Sequence, residues 1–456
     1  MAAGDLPTCC ANSKPSPAFP PGSNPISSIN PRLRQHLAAI VSSALAAVDA
    51  RRVTGHALAS LGDSLPADAP LRVVAAGKAA IGMAQACASA LGPRVSAGLI
   101  TAPAHAVLPR WRAIAASHPT PSATSEEAGR FALELADATK CERGVLLVCL
   151  SGGASAMLAV PAEGLTIDDK AATTAALLAA GLDIGAINTV RRHLSAIKGG
   201  QLAARAGRTI TLAISDVCTP VEDDPAAIGS GPTVGDPSSF ADALRIIEDA
   251  GLTARIPAAA LTHLRDGAAG RRSGPVPPGA PALHASAYWI IATRRHAMRA
   301  AAHTAERIGY RTIVVDEPTT GPARAAGPAL VQRALSDGGA RPLCLIASGE
   351  TTVDVRGQGR GGRNQELALA ALAPLADAAP AALASFGTDG VDGPTDAAGA
   401  FVDSDTFATL GPDGAGIVQR ALDDNDAYPL LDRLGVLIRR GPTGTNVGDL
   451  QVLLLA

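Results

Sequence analysis

A chain of 456 residues is long for one core and points to two domains. Its composition, 47% apolar and 18% charged with a formal net charge of -2, is that of a globular chain and excludes nucleic-acid or membrane-surface binding through bulk charge. An aromatic content of 2% also removes stacking platforms for bases and leaves alanine, valine and leucine to build the core.

Residues 1–30 have turn-forming composition and are predicted as a disordered extension. Order is expected from the helix RLRQHLAAIVSSALAAVDARR onward. Strands and helices then alternate: LRVVAAG before KAAIGMAQACASAL, GVLLVCL before a Ser-Gly loop, TITLAIS before an Asp-rich loop. That alternation predicts a mostly parallel, Rossmann-like sheet covered on both faces. Gly, Pro and Arg crowd residues 271–284, the predicted linker. Beyond it the pattern restarts with AYWIIAT, a helix to Arg307 and RTIVVDE, and continues through LCLIASG, ALASFGT and VLIRRGP. The expectation is α/β throughout: a larger N-terminal domain over 31–270 and a smaller C-terminal one over 285–456, both with mostly parallel sheets. No apolar run reaches the roughly 18 residues of a membrane span. No basic-then-apolar leader opens the chain, and seven cysteines are scattered without metal spacing, which predicts reduced thiols and a cytoplasmic setting.

Ligands of open α/β sheets bind beyond the carboxyl ends of the strands. Those ends carry Gly77-Lys78, Ser151-Gly152-Gly153-Ala154-Ser155, Ser215-Asp216, Ser348-Gly349-Glu350, Gly387-Thr388-Asp389-Gly390 and a Gly441-to-Asn446 loop. Any one of these reads as an ordinary tight turn; six together look like the floor of a cleft for polyanions. Lys78 adds a point charge at a helix start, which favours a phosphate or carboxylate. Lys198 stands before two glycines, although Arg191 and Arg192 beside it equally suggest a solvated basic face. His118, between prolines, either touches substrate or holds a turn. Asp389, Asp392 and Asp396 share a glycine-rich loop that fits Mg²⁺, an oxygen-seeking cation, or merely turns.

The stretch TTVDVRGQGRGGRNQELAL spells G-x-G-x-x-G at Gly357, Gly359 and Gly362, the spacing of a dinucleotide site on a strand-to-helix turn. Arg360 inside the loop and Arg363 directly after it are out of place there. Two guanidiniums at a helix N-terminus predict a phosphate cradle instead. A P-loop, the protein-kinase motifs, a zinc-protease helix and a G-x-S-x-G elbow are all missing.

Taken with SGGASAML from Ser151, VRRHLSAIKGGQLA from Val190, GSGPTVGD from Gly229, SGETTV from Ser348, GTDGVDGPTDAAGA from Gly387 and GPTGTNVGDL from Gly441, the chain resembles the glycerate 2-kinase family. These are ATP-dependent kinases with a C-terminal MOFRL domain, some of which have been labelled hydroxypyruvate reductases. The resemblance covers nearly everything after residue 30. It implies transfer of the ATP γ-phosphoryl group to the 2-hydroxyl of D-glycerate, with Mg²⁺-ATP in a cleft between two α/β domains. Lys78 and Arg363 correspond to the catalytic lysine and the arginine after the glycine loop. Substrate and nucleotide then fall to the loops holding Gly77, Ser151, Gly152, Gly153, Ser155, Lys198, Asp216, Glu350 and Asn446, with Mg²⁺ on Asp389 and Asp392. Asp216 and Glu350 both remain open as the residue that orients the substrate hydroxyl. The assembly is left open, a homodimer among the options, and the alternative activity is NAD(P)H-dependent reduction of hydroxypyruvate.

Overall fold

The computed structural model describes residues 30–66 and 68–456, so the extension expected over 1–30 lies outside the described residues except for Asn30. The first sheet contains β1 (Leu71–Ala76), β2 (Val95–Ala102), β3 (Trp111–Ala115), β4 (Val145–Leu150), β5 (Thr209–Ile214) and β6 (Ser286–Ala292). Every pairing in it is parallel, in the order β3-β2-β1-β4-β5-β6. All six residues of β1, β4 and β5 are buried, as strands covered on both faces require. The expected Rossmann-like arrangement therefore holds, and the strand order reverses between β1 and β4.

The second sheet comprises β7 (Arg311–Val314), β8 (Leu343–Gly349), β9 (Ala381–Gly387), β10 (Gly399–Asp403), β11 (Leu437–Ile438) and β12 (Asp449–Leu455), ordered β11-β10-β9-β12-β8-β7. Here the parallel expectation is met only by the β7–β8 pair; the other four pairings are antiparallel. Two strands cause this: β12, the final one, inserts antiparallel between β8 and β9 and hydrogen-bonds to both along its length, and β10 runs antiparallel to both β9 and β11.

Two segments sit elsewhere than the sequence suggests. The strand AYWIIAT, placed at the head of the C-terminal domain, is β6 of the first sheet. Residues 271–284 are correspondingly no free linker, because Val276 exchanges backbone hydrogen bonds with Gly199 and Asp236 of the first domain. The helix Pro31–Ala47, expected to open the N-terminal domain, packs instead on the second sheet with helix Arg294–Arg307. Its buried face of Leu33, Leu37, Ile40, Val41 and Ala44 joins a cluster with Ile346, Ala384, Phe386 and Val452. The Asn30 N–H donates to Asp403 Oδ2 at 2.7 Å, and Thr445 Oγ1 donates to the Val48 carbonyl at 2.7 Å, so both ends of the helix are fastened to the second domain.

Candidate active site

The loops after β1 and β4 meet where the strand order reverses. Gly77 has φ 115 and no room for a Cβ against Ser151, so only glycine turns the chain there. Ser151 Oγ accepts the Ala79 N–H at 3.0 Å, and the Lys78 N–H donates to the Gly152 carbonyl at 2.9 Å. Each loop thus holds the other. Ser151 is buried and serves this turn. The Lys78 side chain reaches the second domain, where Nζ donates to Asp389 Oδ2 at 2.6 Å.

Asp216, in the loop after β5, accepts from Asn446 Nδ2 at 2.6 Å across the same gap. Gly152 is required by this contact, since a Cβ would overlap the Asp216 carboxylate and the Asn446 amide. Burial, reinforced by the Glu350 carboxylate, pushes the Asp216 carboxyl up to about 6, with Lys78 opposing. A raised carboxyl binds protons more readily folded than unfolded, so it favours folding fully below its unfolded value near 4 and loses that contribution as pH rises through about 6. Asp216→Asn should therefore melt above the parent protein at pH 8, and the gap should close as pH approaches about 4. Calorimetry of both proteins at the two pH values checks this; a gap independent of pH refutes it.

Arg363 begins the helix Arg363–Ala370 and turns its fork onto Asp449, the first residue of β12. Nε donates to Oδ2 at 2.5 Å and Nη2 to Oδ1 at 3.0 Å, while Nη1 donates to Glu350 Oε1 at 2.7 Å. Asp449 is 1% exposed. Burial raises its carboxyl, and Arg363 pulls the other way; the paired carboxylates hold the guanidinium well above its usual range.

The glycine loop is not an open phosphate cradle. Arg356 and Gly357 donate their N–H groups to Asn425 Oδ1 at 2.7 and 3.0 Å, Gln358 to Asp424 Oδ1 at 3.1 Å, Gly359 to the Asp424 carbonyl at 2.8 Å, and Arg360 to Asp426 Oδ1 at 2.9 Å. Gly357 and Gly359 are glycines because the Asp424–Asp426 turn lies against them. Gly362 is one because the Asp392 carboxylate does. Asp392 has a structural task of its own. Its Oδ1 and Oδ2 accept the N–H groups of Asn364 and Gln365 at 3.1 and 2.9 Å, capping the helix N-terminus that the sequence offered to phosphate. Asp392→Ala should consequently cost about 1–2 kcal/mol of stability through the lost cap and leave the Mg²⁺ concentration dependence of turnover unchanged. Denaturant titration and a Mg²⁺ titration together decide between cap and ligand.

Lys198 is no solvated lysine. It is 1% exposed, and Nζ donates to the Ser155 carbonyl at 2.8 Å, to Ser155 Oγ at 3.2 Å and to the Gly229 carbonyl at 3.2 Å. Ser155 Oγ lies 2.7 Å from Ser230 Oγ. Burial and the neighbouring cations Arg191, Lys170 and Arg192 lower the Lys198 ammonium well below its ordinary range.

The sequence matches two family models, a domain of unknown function (DUF4147) over residues 36–265 and the MOFRL family over 343–449. Glycerate 2-kinase of Pyrococcus horikoshii is 35% identical over 390 residues, covering 84% of this chain and 87% of that one. D-glycerate 2-kinase of Thermotoga maritima is 36% identical over 397 residues, covering 84% and 90%. The chain belongs to the glycerate 2-kinase family. The fold agrees: the crystal structure of glycerate kinase from Thermotoga maritima superposes with a TM-score of 0.81 at 32% identity, over 93% of this chain and 100% of that one.

For this member of the glycerate 2-kinase family, the residues gathered at one cleft are Lys78, Gly152, Asp216, Glu350, Arg363, Asp389 and Asn446. Gly357, Gly359, Gly362 and Asp392 shape the helix behind Arg363 instead. Gly153, at φ 84, lies against His118, while Ser155 in the same loop is engaged by Lys198 and Ser230. Asp449 was missed, and its signal was faint: one carboxylate between a glycine and an apolar run, in GDLQVLLL.

Proposed function

We propose that the chain is an ATP-dependent glycerate 2-kinase that moves the γ-phosphoryl group of ATP onto the 2-hydroxyl of D-glycerate. The observation that carries this reading is the opposition of two cations, Lys78 on one domain and Arg363 on the other, each held by carboxylates of the second domain. Phosphoryl transfer asks for in-line positioning and for positive charge around the moving group, and little covalent chemistry. Lys78 would neutralise the transferring oxygens as Asp389 releases it, and Arg363 would supply a fork on the opposite side. Asp216, whose carboxyl titrates near 6, is the group suited to accept the hydrogen bond of the 2-hydroxyl and align it.

No cluster of three His, Cys, Asp or Glu side chains able to hold a metal is preformed among the described residues. Mg²⁺ needs no such cage, since it takes one or two carboxylates and fills its shell with phosphate oxygens and water. Asp216 and Asp389 would hold it: oxygen donors suit the ion, and the two carboxylates lie against Gly152 and Lys78, whose backbones are hydrogen-bonded to each other. Held there, it would supply positive charge to the nucleotide phosphates. Free buried thiols such as Cys87, Cys149 and Cys344 support a cytoplasmic setting. The reductase reading is disfavoured, because the amides its dinucleotide would need are already bonded to the Asp424–Asp426 turn.

Incubation with D-glycerate and Mg²⁺-ATP should release ADP, and the ester phosphorus should appear as a doublet in the proton-coupled ³¹P spectrum, since the 2-carbon carries one proton. A triplet would move the ester to the terminal hydroxyl. Consumption of NADH with hydroxypyruvate, and no ADP, would overturn the reading.

A further inference from the structure

The helix Ile184–His193 ends in Arg191-Arg192-His193, and the three side chains part company. Arg192 is neutralised: its Nε donates to Asp236 Oδ2 at 2.7 Å, and Asp236 is buried. His193 is buried and bonds to the Thr189 carbonyl at 2.9 Å. Arg191 is half-buried and pairs with no carboxylate among the described residues. Around it stand two further cations in the same condition. Lys170, 5% exposed, donates to the carbonyls of Arg191 and Leu194 at 3.3 and 2.9 Å. Lys198 donates only to carbonyls and the Ser155 hydroxyl, as described above. Three cations are thus packed together with neutral oxygens as partners.

Such an arrangement is costly to fold. Burying an ammonium or guanidinium without a counter-charge is unfavourable. The cost is visible in burial drawing the Arg191 guanidinium down to about 10 and, with Arg191's help, the Lys170 ammonium down to about 7. The C-terminal end of the helix, whose carbonyls face Lys170, offsets part of this through its partial negative charge. That accounts for Lys170 and leaves Arg191 open. Proteins that keep an unpaired, half-buried guanidinium commonly keep it for an anion, because its planar fork matches a carboxylate.

The place of Arg191 indicates which anion. His118 abuts the Gly153 turn, and its imidazole is held down by burial and by the charges of Lys78 and Arg191 together, with Asp389 acting in the opposite sense. The helix of Arg191 reaches the cleft floor one turn earlier, where Asn188 Oδ1 accepts from Ser230 Oγ at 3.0 Å and Ser230 Oγ lies 2.7 Å from Ser155 Oγ, in the loop whose Gly153 meets His118. A three-carbon acid is short. If its carboxylate sits on the guanidinium, the adjacent 2-hydroxyl points toward the Lys78–Asp216 side. The nucleotide phosphates, drawn to Lys78, Arg363 and the carboxylates of the second domain, have no need of Arg191.

We propose that Arg191 binds the carboxylate of the hydroxy-acid substrate and so makes the enzyme select acids over neutral polyols, a role that rests on the kinase reading above. Lys198 backs the site by holding the Ser155 and Gly229 carbonyls in place. The two residues differ in character: Arg191 would touch substrate, and Lys198 positions the loop.

The test uses the full chain and the variant Arg191→Gln. The KM for D-glycerate should rise about ten- to hundredfold, the value of one charge-assisted bidentate contact, while the KM for ATP stays within about twofold. The preference of the parent enzyme for D-glycerate over its uncharged amide should vanish in the variant. Without ligand the variant should melt no lower than the parent, since an uncompensated cation has been removed. An unchanged KM for D-glycerate overturns the proposal, and a KM for ATP that rises in step shows Arg191 serving the nucleotide, which overturns it equally. Should the parent form no ADP at all, the kinase reading fails, and the proposal is then read by thermal shift with D-glycerate alone. Stabilisation of the parent but not of Arg191→Gln supports it; no stabilisation of the parent ends it. Arg191→Lys, which keeps the charge and loses the fork, replaces the glutamine variant if that one does not fold.

Discussion

Arg363→Ala is expected to lose turnover and stability for separable reasons. The guanidinium makes three hydrogen bonds, two to Asp449 and one to Glu350, and Asp449 is 1% exposed at the start of the central strand β12. Removing the arginine strands a buried carboxylate, for which about 3 kcal/mol is the expected order, because the guanidinium side is 35% exposed and partly screened. Turnover should fall about a hundredfold or more, as for loss of one preorganised contact to developing phosphate charge. A second substitution separates the two effects. Arg363→Ala with Asp449→Asn has no charge left to strand, so the melting temperature should recover while turnover does not. Arg363→Lys should lie between, since an ammonium cannot span both oxygens of Asp449 and Glu350 together. Recovery of turnover along with stability would reduce Arg363 to a structural residue.

Lys78→Met should behave oppositely, with a fall in turnover of about a hundredfold to a thousandfold at nearly unchanged stability. The Lys78–Asp389 pair is 30% and 17% exposed, a partly solvated contact whose loss costs about 1 kcal/mol or less. The Gly77 turn that carries the lysine is held by backbone and by Ser151, not by the ammonium, so methionine leaves the loop in place. Steady-state kinetics with D-glycerate and ATP, beside a melting curve, read both numbers. Near-normal turnover would leave Lys78 as nothing more than a bridge between domains.

The first sheet was legible because its signal is local. LRVVAA, VLLVCL and TITLAI are buried on both sides, and each ends in a loop that must bend sharply, so the turn residues Gly77, Ser151 and Asp216 marked the cleft directly. What stayed hidden depends on partners distant in the chain. Nothing in SAYWIIA says that it pairs with β5 rather than β7, and nothing in the helix Pro31–Ala47 says which apolar face it covers. The glycine loop misled for the same reason. G-x-G-x-x-G reports only that backbone is closely approached, and the approaching group is the Asp424–Asp426 turn in place of a pyrophosphate. Asp392 shows the complement: a capping carboxylate and a metal-binding one carry the same letter, and only the two N–H groups that point at it tell them apart.

The placement of helix Pro31–Ala47 makes the C-terminal domain discontinuous. Its first helix comes before the whole first sheet in the chain, and its remainder comes after. Topologically the Rossmann-like unit is a guest inserted into a host, entering near Val48 and leaving near Thr293. A fragment beginning at residue 285 would therefore lack part of its own core and carry an unpaired β6, whereas residues 31–47 rejoined to the C-terminal segment would restore the host. The guest hangs from two strands of backbone instead of one. A double suspension resists twisting and leaves swinging about the line through both tethers as the easy motion, the motion that would open and shut the Lys78–Asp389 and Asp216–Asn446 contacts as a single set.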